Sequence, residues 1–232
     1  MQFFHNKRAR HNLSLFILNF IYVFILGLFD GYLEMKYVYY TVITLIFFAS
    51  ILSIKDTANR FFYIPVVVMI LTWVTEFLNL KYLSHITGMI TLLFFLYIII
   101  FLLIRVATTK KVGLLEFVES INVYLLLGIA ASILFSTIYA DNLEAFSTTG
   151  KAMHSRAEFI YFSFITMTTL GYGDITPTDS IARSLSIFFS VAGQLYLTMI
   201  VALLIGKYLS QTTVEESKKL AKEFHKEEEE KN

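Results

Sequence analysis

A helix needs about 20 apolar residues to cross the hydrocarbon core of a bilayer. This chain supplies such a run, or nearly so, six times: residues 13–29, 37–54, 61–80, 86–106, 121–140 and 181–207. A lone strand leaves its backbone polar groups unsatisfied in lipid, so each run is expected to be a helix. Pro65 falls in the first turns of the third run, where its missing N–H is tolerated. Composition agrees, with 16% of residues charged against roughly 25% in soluble domains. "KRARHN" ahead of the first run imitates a secretory signal. The run is long for such a signal and no small-residue cleavage pattern follows, so 13–29 reads as a retained span.

Basic residues set the orientation. Lys7, Arg8 and Arg10 precede the first run, Lys55 and Arg60 separate the second from the third, and Arg105, Lys110 and Lys111 follow the fourth. All fall on one side, which the positive-inside rule makes cytoplasmic. The expectation is a multi-pass protein of the cell membrane with both termini inside, the N-terminal 1–12 included, and the lipid bilayer as its surroundings. Several function classes drop out. The chain has no cysteine, which removes disulfides, iron–sulfur clusters and thiolate zinc sites. His5, His11, His85, His154 and His225 are scattered and form no metal-binding pair. A net charge of +1 gives no reason to expect a nucleic-acid partner. No nucleophile–base pair or phosphate loop is visible, so neither an enzyme nor a cofactor is expected.

A seventh apolar piece, "AEFIYFSFITMTT" at 157–169, is too short to span. It follows the polar "DNLEAFSTTGKAMHSR" and runs into "TLGYGD". A helix that stops halfway and continues as extended chain is tolerated only where that chain faces protein or water. Such a segment can strip water from a monovalent cation if its carbonyl oxygens replace the hydration shell. Successive carbonyls must then face one axis, which calls for positive φ at alternate positions, and Gly171 and Gly173 supply it without steric cost. Leu170 and Tyr172 would brace the backbone from behind, Thr169 would add a hydroxyl, and Asp174 would make an acidic outer mouth that concentrates cations.

"TMTTLGYGD" closely resembles the signature of potassium channels, whose selectivity filter reads T-V-G-Y-G followed by Asp. The departure is Leu170, where the family usually has Val or Ile; it changes packing rather than the carbonyl. The resemblance implies an ion-binding filter of Thr169, Leu170, Gly171, Tyr172 and Gly173, with K+ held at Thr169, Leu170, Gly171 and Tyr172 and the outer mouth at Asp174. It also implies a pore helix over 157–168. One copy per chain implies a homotetramer, with K+ its one small-molecule substrate. The run 181–207 resembles the inner helix of bacterial potassium channels. There Gly193 is a gating hinge or a close-packing site, and Ser190, Gln194, Thr198 and Ala202 are candidates to line the pore. The resemblance covers 121–209, the expected pore domain. The expected fold is all-α: six transmembrane helices, a re-entrant pore helix and an extended filter in a tetrameric pore.

The four helices of 13–107 resemble a voltage sensor only in number and orientation. Steep gating takes about 3–4 charges per subunit on an Arg-rich fourth span, and this one carries Arg105 alone, at its cytoplasmic end. Snorkelling to the headgroups accounts for that arginine. Polar residues within the first three spans are also few, chiefly Glu76 and Asn19. The domain is therefore expected not to sense voltage. Residues 108–120 are expected to form a cytoplasmic linker helix, with Leu114, Leu115, Phe117 and Val118 toward lipid and Lys110 and Lys111 toward headgroups. The charged tail 210–232 reads as a solvated helix or, through Val214, Leu220, Ala221 and Phe224, a short intersubunit coiled coil. A stretch of this length is not expected to fold as a ligand-binding domain by itself. Open alternatives are a cation channel of relaxed selectivity and a potassium transporter subunit. The stimulus for opening is equally open: constitutive leak, pH through His154 or His225, lipid, tension or a partner protein.

Overall fold

The computed structural model describes residues 7–30, 35–54, 67, 70–71, 73–75, 78, 81–109, 113–149, 153 and 155–230. Most of the third apolar run, with Glu76, lies outside these residues, as do Lys110, Lys111 and the side chains of His154 and His225. The architecture is mostly helical. Helix α1 (Lys7–Phe20) continues through a π turn (Ile21–Ile25) and a 3-10 turn (Leu26–Phe29). Helices α2 (Met35–Ile54), α3 (Lys81–Thr108) and α4 (Leu114–Asp141) follow. Strand β1 (Phe146–Thr148), the short helix α5 (Arg156–Met167), strand β2 (Ile175–Pro177) and the long helix α6 (Ser180–Glu230) complete the order. Among the described residues five helices are long and apolar enough to cross a membrane.

Each membrane helix buries the stripe that a 3.6-residue period predicts. In α1 and its continuation this is Ala9, Asn12, Leu15, Asn19, Tyr22 and Leu26; in α3 it is Leu92, Phe95, Ile98, Leu102 and Val106. These stripes meet the first half of α4 in one core. A second core gathers the outer half of α4, α5 and the start of α6 around Phe135. Its ring meets Phe162, Phe189 and Phe146 edge-on at 5.0, 5.8 and 5.9 Å between centroids.

Four features depart from expectation or refine it. Residues 114–120 are the opening turns of α4 and not a separate linker helix. Glu116 closes that N-terminus by accepting the Gly113 N–H at 2.9 Å, the pattern of a helix start. A two-stranded antiparallel ribbon, in the register Phe146↔Pro177, Ser147↔Thr176 and Thr148↔Ile175, interrupts the all-α plan. It ties the chain leaving "GYGD" to the chain leaving α4. The charged tail is no separate element, since α6 runs on to Glu230. In the single chain Val214 and Leu220 of its apolar seam are exposed.

The fourth departure is Arg105, which does not snorkel. Its Nη1 donates to Ser53 O at 2.7 Å, and its Nη2 donates to Ser53 Oγ at 3.2 Å and to Glu119 Oε1 at 2.6 Å. Glu119 is fully buried. It also accepts from Arg8 Nε at 2.9 Å, Arg8 Nη2 at 2.7 Å and Asn12 Nδ2 at 2.9 Å. Ser53 Oγ donates to Asn12 Oδ1 at 2.7 Å, and Asn122 Nδ2 donates to Asn12 O at 2.9 Å. Asn19 Nδ2 extends the chain to Asn122 Oδ1 at 3.2 Å. The Glu119 carboxylate of α4 thus joins α1 and α3 directly, and α2 through Ser53, which bonds Asn12 and Arg105, all at one end of the helices. Removing one partner of a buried ion pair leaves the other charge uncompensated and costs roughly 3–5 kcal/mol. Glu119→Ala should therefore lower the thermal unfolding midpoint in detergent, and an unchanged midpoint would contradict the cluster.

Candidate functional site

The segment 168–174 begins where α5 ends. Thr168 N donates to Phe164 O at 2.9 Å, and Thr168 Oγ1 donates to the same oxygen at 2.7 Å. Gly171 N then reaches back to Ile165 O at 3.2 Å, folding the chain against the helix end. That end carries the negative pole of the helix macrodipole, which favours a nearby cation. The starting end of α5 is closed by Ser155 N donating to Glu158 Oε2 at 3.0 Å.

Positive φ occurs at three alternate positions: Thr169 (62°), Gly171 (51°) and Gly173 (81°). Alternating the sign of φ turns successive carbonyls toward one side, where an ordinary extended chain would point them alternately. The sequence assigns this role to the two glycines. Thr169 adopts it too, although a β-branched residue rarely does so, and such a conformation stores about 1–3 kcal/mol of strain. Between them Leu170 and Tyr172 are 57% and 68% exposed in the single chain.

The far end of the segment is pinned by Asp174. Its Oδ2 accepts from Tyr161 Oη at 2.7 Å, and its carbonyl accepts from Thr149 N at 3.0 Å. The side chain is therefore half-buried and fastened to α5. The sequence reading missed Tyr161, because only the fold brings α5 beside the chain that follows it. After β2, Asp179 caps α6 by accepting the N–H of Ile181 at 2.8 Å and of Ala182 at 3.3 Å.

Helix α6 turns Phe189, Tyr196, Ile200 and Leu204 into the body of the chain. Of the four pore-lining candidates, Ser190 is half-buried while Gln194, Thr198 and Ala202 are exposed. Gly193 sits on the buried side, and a Cβ there would lie 2.7 Å from Met167 O and 3.0 Å from Met167 Cβ. Its close-packing role thus has a definite neighbour, the end of α5, and α6 runs unbroken through it. A second close approach, unnoticed in the sequence, is Gly128, where a Cβ would lie 2.3 Å from Phe164 Cζ. Both glycines press α5 between α4 and α6 and so fix where the 168–174 segment begins.

Residues 123–210 match the protein-family model described as "Ion channel". The chain is 38% identical over 71 residues to two-pore potassium channel 2 of Arabidopsis thaliana, which is 31% of this chain and 14% of that one. It is 39% identical over 57 residues to two pore potassium channel c of Oryza sativa subsp. japonica, 25% of this chain and 12% of that one. No solved structure gives a significant match. The match runs from Val123, within α4, to Ser210, within α6, and so includes the 168–174 segment. These similarities point to a channel and not to an enzyme.

Overpacking at a close contact costs about 1–3 kcal/mol. Gly128→Ala should therefore lower the unfolding midpoint, and adding Phe164→Leu should restore part of the loss. An unperturbed Gly128→Ala protein would contradict the contact.

Proposed function

We propose that the chain is one subunit of a homotetrameric, bacterial-type six-span potassium channel that conducts K+ passively across the cell membrane. The observation that carries this reading is the row of positive φ at 169, 171 and 173, placed at the end of a half-length helix. Thr169, Leu170, Gly171, Tyr172 and Gly173 form the filter, and K+ coordinates at the first four. Asp174 is the outer mouth, and Ser190, Gln194, Thr198 and Ala202 line the inner pore with Gly193 as the hinge. Apart from the conducted ion no cofactor is required. The exposure of Leu170, Tyr172 and one face of α6 supports an assembly, since those apolar surfaces and a lone row of carbonyls are complete only when other copies surround the axis.

Voltage has little to act on. One charge moved through 100 mV yields about 2.3 kcal/mol. The described part of α3 offers Arg105, and that side chain is fastened to Ser53 and Glu119. The first four helices act as a rigid support for the pore, and opening is voltage-independent.

The test is macroscopic current from the reconstituted protein with no energy source. Current should flow down a K+ gradient and vary smoothly over about ±100 mV. Gly173→Ala, which forces a side chain onto a φ of 81°, should abolish current while the protein still assembles. A steep sigmoidal conductance–voltage relation would defeat the voltage-independent part of the reading. Undiminished current from Gly173→Ala would defeat the filter assignment.

A further inference from the structure

The buried face of α6 runs through Phe189, Tyr196, Ile200 and Leu204, and Lys207 continues it, one turn beyond Leu204. Lys207 is half-buried. Its Nζ donates to Ala107 O and to Thr109 O, both at 2.7 Å. These carbonyls belong to the C-terminal end of α3, where the last C=O groups of a helix have no partner within it and the macrodipole is negative. An ammonium placed there makes two charge-assisted bonds. The end of α3 is itself held, through Arg105, to Ser53 and Glu119.

Position along α6 gives this contact its meaning. Ser180 to Lys207 rises roughly 40 Å, the depth of a membrane with its headgroups. The contact therefore lies at the cytoplasmic mouth, opposite the filter. Gln211, one turn on, is half-buried, and every described residue from Thr212 to Glu223 is exposed. Among the described residues, Lys207 thus stands close to the last point at which α6 is attached to the rest of its own chain. This is a direct tie from the end of α3 to α6.

We infer that Lys207 is a positioning residue for opening: it holds the cytoplasmic end of α6 back against α3, away from the pore axis. The inference rests on the channel reading above, in which the axis lies on the exposed side of α6 bearing Thr198 and Ala202. Lys207 pulls to the opposite side. Four inner helices held outward keep the cytoplasmic mouth wide, and releasing them lets their ends converge.

The test is single-channel recording of reconstituted Lys207→Met and Lys207→Arg, with assembly checked by size. Lys207→Met should lower open probability about ten-fold, a usual size for coupling between sites, with unitary conductance and K+ reversal potential unchanged. Lys207→Arg, which keeps the charge and several donors, should stay within about two-fold of the parent. An open probability for Lys207→Met equal to or above the parent's overturns the inference, and so does an arginine variant as impaired as the methionine one. Should Lys207→Met not assemble, Lys207→Gln, which keeps amide donors without charge, takes its place, and no fall in open probability there overturns the inference equally. A parent protein without K+-selective current overturns the channel reading first, and is seen before any variant is compared.

Discussion

Hydrocarbon tolerates no unsatisfied backbone, and the rest of the structure depends on how residues 168–174 meet that constraint. They leave the helical pattern between two long apolar helices. Their shelter is assembled from parts distant in sequence. Gly128 and Gly193 let α4 and α6 close on α5, Asp174 is fastened to Tyr161, and the β1–β2 ribbon ties the exit of the segment to the end of α4. The carbonyls left unpaired by this packing are those the channel reading assigns to the ion.

A second polar investment sits at the opposite side of the membrane. Fully buried Glu119 and Asn12 meet the partly exposed Arg8 and Arg105 there. Such a cluster is a costly way to gain stability, because desolvation offsets most of the attraction between the charges. What it provides is register: the ends of α1, α2 and α3 are fixed relative to the start of α4. Where a voltage sensor would need a row of mobile arginines, this domain has an arginine locked in place. That is the physical ground for the supporting role proposed above for α1, α2 and α3.

Much of this was legible in the sequence, for identifiable reasons. Helix length follows from lipid thickness, so five of the apolar runs marked the long apolar helices of the described residues without any tertiary information. The positive φ of Gly171 and Gly173 was legible because glycine is the residue that adopts it without steric cost. Contacts between residues far apart in sequence were not legible. Arg105 looked like a snorkelling residue because Glu119 and Ser53 join it only through the fold. Thr169 gave no sign of its positive φ, since its side chain argues against it. The start of α4 was hidden because residues 114–120 are amphipathic enough to suit a surface linker, and the burial of Glu116 and Glu119 emerges only when α1 and α3 are placed beside them.

The central claim is that the 169–173 backbone selects K+. Its most direct measurement is the reversal potential of single-channel current under bi-ionic conditions, K+ on one side and Na+ on the other. The account predicts a reversal displaced far toward the K+ equilibrium potential, lost when Gly171 or Gly173 carries a side chain. A reversal near zero would contradict it and leave a cation pore of relaxed selectivity.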